Sequence, residues 1–381
     1  MSKRNLIALF TISLLFNCLG CQKQRTASQP PPPPSAGTEQ PAAAGGITPA
    51  QEVKYFRGSI GSALGLQMKL IREGEKLSGS YYYQKVGQKI DLRGNIDQTN
   101  NLVLEEFDPS GKQTGVFKGL WTTDEDGLIN LAGNWTRPDG QTKTAFSLHQ
   151  EPIEFTGPVE IAGKQIKENN KKLQYEIEIE YPQITGSTNP AAEKFNQQAK
   201  ALVTNEVRSF KAYVVERAAE SEEIETTKGS DLGIGYTVAI ARDDLISIDF
   251  GIGGYYRGAA HPNSHSRVLN FDLKSGKPLR LSDLFQPNAR YLQKISDYCM
   301  KDLQKQSKAK ENILDDESIK DGAGPNPKNY QSWTITKQGL AVNFDAYQVG
   351  PYVAGPQFVL VPYAAIKDLV KPDGPLASFL R

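Results

Sequence analysis

Cysteine and histidine are scarce, with three of each in 381 residues. Cys18 and Cys21 sit close to the N-terminus, and only Cys299 lies in the body of the chain. A disulfide framework is excluded. Three histidines also leave little material for a metal centre or for His-dependent catalysis. Charge of one sign is not in excess either: Lys+Arg is 44 and Asp+Glu is 43. Nucleic-acid binding ordinarily needs a basic face, and this balance offers none. Long apolar runs are confined to one stretch near the N-terminus, so a multi-span membrane protein is excluded. What remains is 38% hydrophobic and 23% charged, a composition that folds around buried cores rather than staying disordered. The length suggests two or three domains.

The apolar run belongs to a leader. Lys3 and Arg4 precede Leu6 to Phe16, which is too short for a comfortable span of about 20 residues. Leu19-Gly20-Cys21 follows and resembles the lipobox of bacterial lipoproteins. Cys18 stands where Leu is usual, and Leu19 where a small residue is usual. The resemblance implies that residues 1–20 are a lipoprotein signal and that Cys21 carries the lipid that holds the protein to a membrane. An ordinary cleaved signal is the alternative. Gln22, where Asp would mark inner-membrane retention, favours the outer membrane if the envelope is Gram-negative. Residues 21–51 are rich in Pro and Ala, with Pro30 to Pro34 unbroken. Such a run favours an extended spacer that holds the folded part off the membrane.

Residues 52–152 read as an all-β domain. Leu64, Leu66, Met68 and Leu70 alternate with polar residues or Gly, and six further short runs follow at Tyr81–Tyr83, Ile90–Leu92, Leu102–Leu104, Val116–Trp121, Ile129–Trp135 and Ala145–Leu148. Turn residues separate them, as in a small barrel or sandwich. Gly79, Gly94, Gly119 and Gly133 each sit between an apolar residue and an aromatic or apolar one, which suits a strongly curved meander. The form is similar to the strands of avidin-like barrels. Tyr81, Trp121 and Trp135 either fill the core or line a ligand cavity; the second reading makes the domain a small-ligand carrier.

Residues 153–381 read as α+β, with a mainly antiparallel sheet and two main helices. Leu173 to Tyr181 alternates apolar residues with Gln174, Glu176, Glu178 and Glu180, a half-buried strand with an acidic solvent face. Asn189-Pro190 opens a helix whose apolar face runs from Phe195 to Val214. Strands are expected at Ile234–Ala241, Leu245–Ile252 and Val268–Leu273. A second helix over about 288–305 places Cys299 among its apolar residues, as a buried hydrophobe rather than a nucleophile. Residues 306–329 read as a loop. Strands at Trp333–Thr336, Leu340–Phe344 and Phe358–Val361 and a short helix at Ala364–Val370 complete the order.

Three segments carry a resemblance: Gly254-Tyr255-Tyr256-Arg257-Gly258-Ala259-Ala260-His261-Pro262-Asn263; Asn270 to Lys277 leading into Leu281-Ser282-Asp283-Leu284-Phe285; and Phe344 to Pro356 followed by Val361-Pro362-Tyr363. Together they resemble the RsiV/PdaC-like extracytoplasmic domain family, the domain of unknown function DUF3298 with a DUF4163-like region before it. Ala259 replaces a Gly usual in the first motif. The resemblance covers about 172–370. It implies an envelope domain that works by binding, as in a lysozyme-sensing anti-sigma factor, and in a deacetylase it precedes the catalytic domain.

The residues themselves leave three readings. The first is a non-enzymatic, membrane-anchored binding module for a lysozyme-like protein or peptidoglycan, using Tyr256, Arg257, His261 and Asn263 of the first motif and Tyr347, Pro351 and Tyr352 of the third. Tyr-bearing Gly/Pro loops on rigid scaffolds are common contact surfaces. The second is an envelope hydrolase, which needs His261 to meet Asp272, Asp283 or a serine. The third is the carrier. His261 and His265 are four apart, but Gly258, Pro262 and Asn263 favour a turn over a helix, and no third ligand is evident, so no metal or cofactor is expected.

Overall fold

A computed structural model describes residues 51–62, 64–83, 88–125, 127–220, 229–309 and 313–380. The leader, Cys21 and the Pro-rich stretch lie outside them.

Eight antiparallel strands close into a barrel: β1 (Glu52–Ile60), β2 (Leu64–Glu73), β3 (Lys76–Tyr83), β4 (Lys89–Ile96), β5 (Asn101–Phe107), β6 (Gln113–Thr123), β7 (Ile129–Thr136) and β8 (Lys143–Glu151). β1 closes the barrel by pairing with both β2 and β8. The sequence pattern locates β2–β8 but not β1. Inward side chains form one core of Phe56, Leu66, Met68, Tyr81, Phe117, Leu131 and Phe146. Trp121 belongs to that core, edge-on to Phe56 at 5.7 Å. The glycine repeat has a steric cause. Gly119 and Gly133 are paired in register, and a Cβ on Gly133 would lie 2.1 Å from the Lys118 carbonyl oxygen.

The second half is built on a sheet ordered β10 (Glu160–Asn170), β11 (Tyr175–Thr185), β12 (Ser230–Arg242), β13 (Leu245–Tyr255), β14 (Asn263–Asp272) and β15 (Lys277–Pro278); β9 (Ile153–Glu154) pairs with β12. β11 and β12 run parallel, joined by the crossover helix α1 (Pro190–Glu220). The Asn189 side chain accepts from the Ala191 amide at 2.9 Å, as its capping position requires. α1 lays Phe195, Ala199, Val203, Phe210 and Val214 on the sheet. Tyr175, Ile177, Ile179 and Tyr181 of β11 are buried as their alternation demands, and Glu176 and Glu178 face solvent. Glu180 does not: it turns to the barrel.

A smaller sheet, β16 (Trp333–Ile335), β17 (Gly339–Phe344) and β18 (Gln357–Pro362), packs with α2 (Tyr291–Ala309), α3 (Asp316–Ala323) and α4 (Tyr363–Ile366). Cys299 is fully buried here. The stretch expected as a loop over 306–329 contains α3. Asp315 caps it, accepting from the Ser318 amide at 2.8 Å, and Ile319 and Ala323 face the core. An eight-residue helix holding Gly322 leaves too few apolar positions to show a period.

Barrel and sheet meet around Arg57. Its guanidinium donates to Glu151 at 2.9 Å and Glu180 at 3.1 Å and lies 4.2 Å over the Tyr236 ring. Burial works against this charge, but Tyr236, Glu151 and Glu180 outweigh it and raise the Arg57 pKa. Gln67 donates to Glu151 at 2.9 Å, and the Tyr82 hydroxyl accepts from the Gly163 amide at 3.1 Å while donating to Gln67.

Candidate aromatic binding face

Two connections build the site. The β13–β14 turn follows Tyr255. The Ala259 amide donates to the Tyr256 carbonyl at 2.8 Å, and Gly258 takes φ +84°, a left-handed conformation that glycine adopts freely. This turn delivers His261 and Pro262 ahead of β14. The β17–β18 connection leaves the buried Phe344. Asp345 accepts from the Ser266 amide at 2.9 Å and so ties the connection to β14. The Gln348 amide group donates to the Gly322 and Asn329 carbonyls, both at 3.0 Å, and Val349 is buried. Between these ties Tyr347 adopts φ +71° and is 62% exposed.

The two connections, nearly 90 residues apart in sequence, converge. The His261 ring stacks on Tyr352, with centroids 4.0 Å apart. Tyr347 flanks both, 5.4 Å from Tyr352, with its hydroxyl 3.3 Å from His261 Nε2. The Pro262 carbonyl accepts from the Tyr352 hydroxyl and from His261 Nδ1, each at 2.8 Å. A carbonyl only accepts, so Nδ1 carries the proton; in the neutral ring, Nε2 then accepts from Tyr347. All three rings are thereby tied to one another.

The other expected residues are placed differently. Tyr256 packs edge-on to Tyr213 at 4.5 Å and near Phe210 at 5.6 Å, so it braces α1. Arg257 reaches Gln174 at 2.7 Å, and its amide donates to Ser230 at 2.9 Å. Asn263 opens β14 opposite Gly254. Pro351 precedes the short 3-10 turn Tyr352–Ala354 and accepts from the Ala354 amide. The face therefore consists of His261, Tyr347 and Tyr352, with Pro351 and Asn263 at its margins.

Beneath it lies a polar group that the motifs did not single out. Ser266, almost fully buried, donates to Asp249. Burial raises the pKa of both Asp249 and Asp345, and the Asp345 charge adds to the effect on Asp249. His265 has its pKa lowered by burial and by Arg267, and lies 3.8 Å from Glu206. Asn263 to Arg267 is an unbroken polar run at the start of β14, so no alternation marked Ser266 as inward-facing. His261 and His265 do not converge: one faces the tyrosines and the other Glu206. Among the described residues, no group of three or more His, Cys, Asp or Glu could hold a metal ion. Asp272 accepts within its own turn from Lys274 and Ser275, and Asp283 pairs with Arg280.

Comparison with known proteins bears on both halves of this site. Residues 166–264 match the family model described as Deacetylase PdaC, and residues 282–364 match DUF3298, a protein family of unknown function. Together they cover most of the 172–370 stretch to which the resemblance extends, with Asn270 to Lys277 of the second motif lying between them. The chain is 27% identical over 179 residues to the peptidoglycan-N-acetylmuramic acid deacetylase PdaC of Bacillus subtilis, covering 47% of this chain and 37% of that protein. It is 29% identical over 113 residues to the immunogenic protein MPT64 of Mycobacterium tuberculosis, covering 30% and 47% respectively. The esterase Rv3036c of M. tuberculosis is 28% identical over 112 residues, covering 29% and 47%. The chain thus spans less than half the length of these relatives. A solved structure of a DUF3298 family member from Bacteroides fragilis aligns with a TM-score of 0.47 at 20% identity, covering 59% of this chain and 98% of that one. Another, from Pseudomonas aeruginosa, aligns at 0.42 and 17%, covering 56% and 94%.

Proposed function

Given that the chain belongs, over residues 166–264 and 282–364, to the PdaC/DUF3298-like domain family, we propose that it is a cell-envelope binding protein. It acts outside the cytoplasm, anchored through a lipid on Cys21, and presents its aromatic face to a cell-wall-related partner, either peptidoglycan or a lysozyme-like protein. The observation that carries this reading is the locked, outward-facing set of His261, Tyr347 and Tyr352. Flat rings held in place suit the apolar faces of sugars, and Tyr is also a common anchor in protein interfaces. A relative named for acting on peptidoglycan supports the cell-wall assignment. Binding is preferred over hydrolysis because the hydrogen bonds of His261 go to Pro262 and Tyr347, not to a serine or carboxylate.

The test is a parallel pull-down of the full chain with purified peptidoglycan and with a c-type lysozyme, against Tyr347→Ala/Tyr352→Ala. Sedimentation with peptidoglycan, lost in the double variant, supports wall binding. Capture of lysozyme alone, lost in the same variant, assigns a protein partner. Equal behaviour of the variant and the parent refutes the face. Full membrane partitioning of Cys21→Ala would refute the lipid anchor.

A further inference from the structure

The barrel carries a second site with a different chemistry. Inward positions along β5 are Leu102, Leu104 and then Glu106, so the apolar core ends in a buried carboxylate, 2% exposed. Glu106 sits at the end of the barrel where Tyr83 and Ile90 meet the β5–β6 and β7–β8 connections. An open cavity of about 560 Å³ occupies that end, with Tyr83, Ile90 and Trp135 among its walls and Glu106 and Thr114 in its lining. This volume suits a small ligand.

The polar groups of this cavity are only half satisfied. Glu106 Oε2 accepts from the Tyr81 hydroxyl at 2.6 Å and from Trp135 Nε1 at 2.9 Å. Oε1 is not sealed off and meets the open cavity. The Thr114 hydroxyl is shut off from solvent and has no partner among the described residues. Gly115 leaves the space that makes the arrangement possible: a Cβ there would meet Trp135 Nε1 at 2.3 Å and Glu106 Oε1 at 2.6 Å. A carboxylate held among apolar walls without a paired cation is costly. A charged donor carried on an apolar body complements the carboxylate at the cavity floor. The aromatic walls favour the same group, because ring faces attract cations.

We propose that the mouth of the barrel binds a small organic cation, with its ammonium group on Glu106 and its apolar part against Trp135, Tyr83 and Ile90. The rim carries Lys112 and Arg137 together with Asp108 and Asp139, so charge selectivity originates at the floor. Lys112 and Arg137 oppose the ligand mildly.

Benzylamine, a cation at neutral pH, and its neutral isostere benzyl alcohol are the probes, titrated into the full chain and followed by calorimetry and by the Trp135 indole N–H resonance. That resonance is assigned by its loss in Trp135→Phe. Expected results are saturable benzylamine binding, a shift of the Trp135 resonance, at least tenfold weaker binding of benzyl alcohol, and at least tenfold loss in Glu106→Gln. Arg137→Ala, distant from the core, should bind benzylamine two- to threefold more tightly, and it carries the test if Glu106→Gln does not fold. Equal binding of the two probes, an unmoved Trp135 resonance, or unchanged affinity in both variants would overturn the proposal.

Discussion

Replacing Arg57 with Met tests how barrel and sheet are held together. The side chain retains 18% exposure, and its partners Glu151 and Glu180 retain 7% and 14%. Removing one member of a fully buried pair costs about 3–5 kcal/mol, because the remaining charge is stranded. The residual exposure here puts the expected loss at the low end, about 3 kcal/mol, or roughly two decades in an equilibrium constant. Urea unfolding is the assay, with two probes: barrel emission from Trp121 and Trp135, and second-half emission from Trp333. The parent should show coincident transitions. Arg57→Met should move the barrel transition to lower urea and separate it from the other. Adding Glu151→Gln and Glu180→Gln should restore much of the loss, since neutral amides leave no stranded charge. An Arg57→Met protein within about 0.5 kcal/mol of the parent, with coincident transitions, would refute the reasoning.

The Glu180 carboxyl is held above its ordinary value, first by burial and then by Glu151, against the pull of Arg57. The folded protein therefore keeps this proton more tightly than the unfolded chain, and its contribution to stability declines as pH rises from the ordinary value of 4.5 through the folded value. Glu180→Gln should remove that decline, seen as a smaller difference between urea midpoints at pH 4.5 and pH 7. Gly322→Ala places a Cβ 1.7 Å from the Gln348 carbonyl oxygen; we expect a loss of about 3 kcal/mol, as for severe overpacking, together with loss of partner capture because Tyr347 and Tyr352 are displaced. Burial, aided by Asp302, pushes the Cys299 thiol up to about 12. In a Cys18→Ala/Cys21→Ala background, Cys299 should resist a thiol reagent at pH 8 until the protein is unfolded, and rapid native labelling would contradict the packing.

How much of this was legible depends on the range of each signal. β11 was readable because Tyr175 to Tyr181 alternates without interruption, and α1 because seven apolar residues repeat at helical spacing behind Asn189. β1 was not, because Gly58 leaves a gap between the inward Phe56 and Ile60, and a Cβ there would lie 2.0 Å from the Ser147 carbonyl oxygen of β8; Arg57, on the outward face, serves the sheet. The same blindness applied to Glu180, which shares a face with Glu176 and Glu178 in sequence but meets a cation from the barrel. Both motifs of the aromatic face were visible separately. Their union was not, because the stacking of His261 on Tyr352 depends on how β14 and β17 are tied through Ser266 and Asp345. Glu106 stood in plain view as the third inward position after Leu102 and Leu104, where a polar residue breaks the row.

Closing the barrel has a consequence for self-association. A closed sheet has no rim of unpaired amides and carbonyls, so the first eight strands offer no template for another chain to extend. Such templates are left to the second half, where β10 and β15 end the large sheet and β16 and β18 the small one, β15 and β16 being only two and three residues long. β10 carries Lys164 and Lys167 along an exposed, polar run, the kind of charge that keeps identical edges apart. β18 instead exposes Phe358 and Leu360. Strand-to-strand aggregation, when the protein is concentrated or partly unfolded, should therefore start at β18, and Leu360→Lys should suppress it.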